Sequence, residues 1–273
     1  MPPKQSKPAV ALVRSPVRYD GVFTSLELVQ ESVIDKLSNG MRIVITPDFF
    51  FTKQGMSTSV DSVRALLDFM LEFTNKKITI AEGLYDGANV QNLFHKAQLH
   101  QLAEDYGLNF IDLNRDEFIT IRLSDKFSVR VAKTIINSDF RVSLAVPKLI
   151  GGRYAGALAN LATGSLISNA KTFAKNDKAK LVSSRNYDVA VAEILKVVRP
   201  SLAVVDGFES VIGRKSVETN FCTASADGVA ADVVTAAALG NKLSRKVSTQ
   251  KYLQMCQKAG LGQSVAAKIR IIS

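Results

Sequence analysis

The chain has 273 residues, 47% hydrophobic and 22% charged, proportions that allow a buried core and exclude disordered, collagen-like and disulfide-scaffold classes. Its apolar stretch over residues 233–239, broken by Thr235, is far too short to span a bilayer, so no membrane insertion is expected. The net charge is +10, and the two cysteines, Cys222 and Cys256, stand in no paired motif; this fits a reducing cytoplasm and argues against a zinc or iron–sulfur centre.

The charge is unevenly spread. Residues 1–18 carry Lys4, Lys7, Arg14 and Arg18 and no acid, and from Lys242 onward there is no Asp or Glu. The first eight residues are rich in Pro and Lys and lack the apolar core of a secretory signal. Such runs read first as solvated faces and a flexible arm, and second as a nucleic-acid footprint, although no aromatic residues interleave with them as a stacking platform requires.

In chain order, a helix is expected over residues 25–37, with Thr24 and Glu27 at capping-box spacing, Leu26, Val29, Val33 and Leu37 on one face, and Gly40 as its stop. Residues 42–46 read as a strand ended by Pro47, and residues 59–73 as a helix with a stripe of Val63, Leu66, Leu67 and Met70. A strand over 77–81 turns at Glu82-Gly83 into a helix over 89–106, ended by Gly107, and a strand over 108–112 follows. Residues 117–123 alternate as an edge strand does, residues 131–137 suggest a short helix, and residues 141–146 a strand stopped by Pro147. The Gly- and Ala-rich residues 151–164 open the next helix, and the Lys-rich residues 169–185 read as a surface loop. Beyond it come a helix over 187–198, strands over 202–205 and 217–224, an Ala-rich helix over 229–239 and a last amphipathic helix over 249–259. Strands alternating with helices of this length imply βαβ units around a largely parallel sheet, with helices on both faces.

In such sheets ligands bind beyond the carboxyl ends of the strands. Asp48, Glu82, Lys148, Asp206 and Asp227 each follow an expected strand. Each of them can equally be a turn former or a helix cap. Asp232 sits among Val and Ala inside a helix, where an acid is either buried with a partner or faces a site. His95 and His100 are five residues apart, so on a continuous helix they diverge by about 140° and cannot share a metal. Gly151-Gly152-Arg153 and Gly156 make a Gly-rich turn able to cradle an anion, without the dinucleotide fingerprint. No P-loop and no nucleophile elbow is present.

Four ordered stretches carry a family likeness. They are Ile80-Ala81-Glu82-Gly83 through Tyr106-Gly107 to Ile111-Asp112-Leu113-Asn114; residues 138–149 with 156–161; Val198-Arg199-Pro200 through Asp206-Gly207; and Asp227-Gly228 through Asp232, closing at Gly260-Leu261-Gly262. Over residues 40–262 the chain resembles domain-of-unknown-function family 362. The resemblance implies an α/β fold and little about activity. Some members carry an attached ferredoxin-like segment; here there is no Cys cluster, so no iron–sulfur cluster is expected. The family pattern also has Lys-Thr-His where Ile150-Gly151-Gly152 stands, a Lys at Ala159 and Lys-Pro-Asn at Thr46-Pro47-Asp48.

The sequence therefore points to residues 1–20 as a basic flexible arm and residues 21–273 as one α/β domain, with residues 169–185 as a candidate boundary between two lobes. The leading expectation is a cytoplasmic protein that binds a small anionic metabolite or a divalent metal through Glu82, Lys148, Asp206, Asp227 and Asp232, with Lys148 meeting the anionic group. The alternative is a basic nucleic-acid-associated or structural protein acting through the arm and the C-terminal stretch. The sequence specifies neither catalytic residues nor a cofactor.

Overall fold

The computed structural model describes residues 7–50, 55–85, 87, 89–124, 127–168, 176–244, 247 and 251–273. The first half comprises β1 (Ala9–Arg14), α1 (Arg18–Glu27), α2 (Ile34–Asn39), β2 (Ile43–Thr46), α3 (Val60–Leu71), β3 (Ile78–Glu82), α4 (Val90–Lys96), α5 (Leu99–Tyr106) and β4 (Asn109–Asp112). Next come β5 (Phe118–Ser124), β6 (Phe127–Ala132), α6 (Lys133–Ile136), β7 (Phe140–Ala145), β8 (Lys148–Ile150), β9 (Arg153–Ala155), α7 (Ala157–Gly164), α8 (Asp177–Ser183) and α9 (Tyr187–Val198). The chain continues with β10 (Leu202–Ile212), β11 (Lys215–Ser225), α10 (Gly228–Lys242), α11 (Lys251–Lys258) and β12 (Arg270–Ile272).

The main sheet runs β12-β1-β11-β10-β7-β2-β3-β4. Its centre, β10-β7-β2-β3-β4, is parallel throughout. Strand β11 runs against both β10 and β1, and β12 lies parallel to β1. The parallel strands are buried on both faces, which is why β2 reads as the unbroken run Ile-Val-Ile-Thr rather than as an alternation. From β2 the chain steps through β3 to β4 in one direction; β7 then docks on the other side of β2, and β10 beyond it. Right-handed crossovers in opposite directions place their helices on opposite faces. Accordingly α1, α3, α4 and α5 pack with Ile43, Ile45 and Val142 on one face. Helices α7, α9, α10 and α11 pack with Val44 and Ala81 on the other.

Several expected elements take a different form. Of the expected basic arm, residues 9–14 are strand β1, whose Val10 and Ala11 are fully buried; the apolar run Val-Ala-Leu-Val outweighs the flanking charges. Residues 1–6 lie outside the described residues. The helix expected over 25–37 is split by a tight turn at Gln30–Ser32, and Thr24 falls in the last turns of α1, so its spacing to Glu27 caps nothing. The helix expected over 89–106 breaks at Gln98, whose φ of 58° is left-handed. That break overturns the divergence expected of His95 and His100: their rings stack with centroids 3.5 Å apart. Strands β5 and β6 pair antiparallel in a separate two-stranded sheet. The loop expected over 169–185 ends in helix α8, capped by Asn176, with Asp177, Lys178, Ala179 and Leu181 buried; residues 169–175 lie outside the described residues.

Candidate functional site

Strand order reverses between β2 and β7, and the crevice beyond the carboxyl ends of these two strands is where open α/β sheets place ligands. Pro47 ends β2 and Pro147 ends β7, each removing a backbone donor that would extend the ladder. The residues that follow them meet: Lys148 Nζ is ion-paired with Asp48, both buried, and also donates to Val146 O at 3.1 Å. Asp48 Oδ2 accepts from Val146 N at 3.2 Å, and Asp48 N donates to Thr58 Oγ1 at 2.7 Å. Asn160 of α7 ties the two strands together, its Nδ2 donating to Thr46 O at 3.2 Å and Ser143 Oγ at 3.1 Å.

One strand further on, Glu82 ends β3 and Gly83 N donates to its Oε1 at 2.8 Å. Lys178 Nζ, from α8, lies 3.5 Å from that same oxygen. It also donates to Gly83 O and, at 3.3 Å, to Gly164 O at the end of α7. Asn176 positions this lysine: its Oδ1 caps α8 and its Nδ2 donates to Tyr85 O at 2.7 Å, which pins α8 to the loop after β3. Burial pushes the Glu82 carboxyl up to about 7, against the opposing pull of Lys178 and Gly83 N, while the Asp48 charge adds to the rise. Burial likewise lowers the Lys178 ammonium, partly offset by Glu82. Both side chains border a cavity of about 20 Å³ that also takes in Phe50, Tyr85, Asn160 and Thr163.

Asp206 stands on β10 just beyond Val205, where pairing with β7 ends. It is buried, accepting from Ser62 Oγ at 2.5 Å, Phe208 N at 3.1 Å and Arg18 Nε at 3.3 Å. Burial raises its carboxyl and Arg18 opposes that rise. Arg18 in turn donates from Nη2 to Glu209 Oε2 at 2.7 Å. Arg18 and Glu209 face a cavity of about 420 Å³ between the start of α3 and the α4–α5 turn.

The remaining expected site residues lie elsewhere. Because β11 is antiparallel, its carboxyl end sits at the amino ends of the parallel strands, with Ser225 opposite Ala203. Asp227 is therefore at the opposite edge of the sheet from Glu82. There it caps α10, accepting from Ala230 N at 3.0 Å, and binds Gln263 N at 2.9 Å. Asp232 is fully buried. Its Oδ1 accepts from Ala157 N at 2.8 Å and Tyr154 OH at 3.2 Å, and its Oδ2 from Leu158 N at 3.1 Å and Tyr252 OH at 3.4 Å. Burial raises this carboxyl to about 6. The Gly-rich turn at Gly156 thus does hold an anion at a helix start, and that anion is the chain's own Asp232.

Of the five residues singled out from the sequence, Glu82, Lys148 and Asp206 share the carboxyl edge of the parallel strands, whereas Asp227 and Asp232 do not. Lys178 and Arg18 were not singled out, one hidden in a Lys-rich stretch and the other in an expected arm. The Ala179-x-Leu181 pair beside Lys178 was the available sign that this stretch folds inward. Among the described residues no three His, Cys, Asp or Glu side chains converge as ligands of a metal ion. No helix among them is long and apolar enough to cross a membrane.

No curated protein matches the chain. Among solved structures it is similar to the lactate racemase apoprotein from Thermoanaerobacterium thermosaccharolyticum, at 14% identity and a TM-score of 0.49, over 91% of this chain and 60% of that one. It is also similar to a protein from Thermotoga maritima, at 12% identity and a TM-score of 0.37, over 85% of this chain and 59% of that one. In both cases the chain spans less than two thirds of the other chain's length. The model of the domain of unknown function DUF362 matches residues 43–237, well over half of the chain and all of the parallel core described above, and the chain belongs to that family.

Proposed function

We propose that this protein binds a small anionic metabolite at the carboxyl edge of its parallel strands, one strand from the switch point, with the charged end of the ligand beside Lys178 and Glu82. One observation carries this reading: two buried, opposite ionisable groups from separate elements converge on a cavity at the place where the topology favours a ligand. A space of about 20 Å³ holds one water or one carboxylate oxygen. The rings of Phe50 and Tyr85, 5.2 Å apart, offer an apolar wall for the rest of a small ligand.

The charge balance favours an anion over a metal. With Glu82 ionised the pair is neutral; once Glu82 takes up a proton, Lys178 is left as a buried cation that an anion can satisfy. The protonated Glu82 then becomes a hydrogen-bond donor beside the ligand, the position of a general acid. Asp48 and Lys148, already paired with each other, set the backbone around the crevice and do not touch the ligand.

Calorimetric titration with formate and acetate, whose own charge is constant near neutrality, tests this. Affinity is expected to rise about tenfold from about pH 8 to about pH 6 as Glu82 takes up its proton. Lys178→Met abolishes binding and Glu82→Gln makes it independent of pH. Binding that is absent, or indifferent to Lys178→Met, overturns the reading.

A further inference from the structure

We infer that the cavity of about 420 Å³ beside α3 is a second ligand site, suited to a zwitterionic α-amino acid with an apolar side chain, its carboxylate on Arg18 and its ammonium on Glu209. This goes beyond the anion site at Lys178, since the charged groups of the two cavities are different residues.

The guanidinium of Arg18 is held on three sides. Nε donates to Asp206, Nη2 donates to Glu209, and its central carbon lies 5.5 Å from the centroid of the Phe208 ring. Asp206 is itself fixed by Ser62 and by Phe208 N, so Arg18 is oriented before any ligand arrives. Its Nη1 has no hydrogen-bond partner among the described residues and is left to a ligand. Accessibility divides the roles. The side chains of Arg18 and Glu209 are 22% and 39% exposed, whereas that of Asp206 is 2% exposed. Arg18 and Glu209 can touch a ligand, and Asp206 is a positioning residue.

The local charge selects the ligand class. One arginine sits between two carboxylates, so the cluster is net negative and repels a simple anion, while a simple cation meets Glu209 but leaves Arg18 Nη1 without an acceptor. A molecule carrying both charges meets both groups. The hydroxyl of Ser59, whose oxygen already accepts from Asp61 N at 3.3 Å, keeps its proton for the ligand carboxylate. Phe49, Val60, Leu93 and Ala97 line the same cavity and suit an aliphatic or aromatic side chain. The volume lies within the ordinary range of small-molecule sites.

Calorimetry with L-leucine and L-phenylalanine tests the inference, with isocaproate and isoamylamine as analogues that keep one charge each. The amino acids are expected to bind, and each analogue to bind at least about tenfold more weakly. Glu209→Gln weakens amino-acid binding about tenfold. Glu82→Gln and Lys178→Met leave it unchanged, which separates this site from the anion site. Arg18→Met abolishes binding but strands Asp206 without its cation; the half-exposed Glu209 keeps the test clear of folding defects. If neither amino acid binds at millimolar concentration, if an analogue binds as tightly, or if Glu209→Gln has no effect, the inference falls.

Discussion

Asp232 Oδ1 accepts the backbone N–H of Ala157 at 2.8 Å, so a side chain on α10 serves as the cap of α7. The carboxylate faces four donors: two backbone amides and two tyrosine hydroxyls. Asp232→Ala orphans all of them in a dry interior and is expected to cost about 2–4 kcal/mol. Asp232→Asn keeps one accepting oxygen and costs less. Urea unfolding near neutral pH measures both; a wild-type midpoint for Asp232→Ala removes the capping role.

A second expectation concerns pH. Burial raises the carboxyls of Glu82 to about 7 and Asp232 to about 6 from ordinary values of 4.5 and 3.8. A folded state that holds protons more tightly than the unfolded one is most stable when those protons are on. Stability therefore falls as pH climbs through the interval from about 4 to about 7 and levels off above it. Asp206 and Asp227, also raised by burial, act in the same sense. Lys178, lowered by burial, acts in the opposite sense. The Glu82 contribution is on the order of 3 kcal/mol. Unfolding free energy measured from about pH 5 to about pH 8 is expected to decline, and Glu82→Gln to flatten that decline; parallel profiles for the two proteins contradict the assignment.

The Asp48–Lys148 pair gives a third expectation. Both side chains are buried, at 2% and 7% exposure. Lys148→Met leaves a carboxylate unpaired in the interior and is expected to cost about 3–5 kcal/mol. Asp48→Asn combined with Lys148→Met removes both charges and is expected to recover a large part of that loss. A double-mutant cycle by denaturant unfolding reads the coupling directly, and additive losses show that the two groups are independent.

Much of this arrangement was legible in the sequence. Glu82, Lys148 and Asp206 could be placed because each follows an apolar run at a turn signal, and in a parallel sheet such positions share one edge. Asp227 follows an apolar run too, but β11 is antiparallel, and strand direction is set by the hairpin at Gly213 rather than by the strand's own composition. Asp232, an acid among Val and Ala, reads as buried with a partner or facing a site; the sequence does not reveal the partner because it is largely the backbone of a helix distant in sequence. Gly156 shows the same limit. A Cβ there would overlap Tyr154 OH and Asp232 Oδ1, so the glycine makes room for an internal carboxylate where an external anion was expected. Lys178 is not legible because a stretch crowded with lysines averages to a solvated surface, and only tertiary packing singles out the one that turns inward.

Strand β1 pairs with β11 on one side and β12 on the other. During synthesis, residues 9–14 leave the ribosome with neither neighbour yet made, while β2, β3, β4 and β7 can already assemble. Strand β1 is thus among the last of these strands to dock, and until residues 215–225 and 270–272 emerge its apolar edge stays open to other chains. Ribosomes stalled before β11 are expected to carry chains that aggregate or recruit chaperones, whereas a circular permutant that joins β1 to the segment after β12 makes these partners consecutive and shortens that exposed interval.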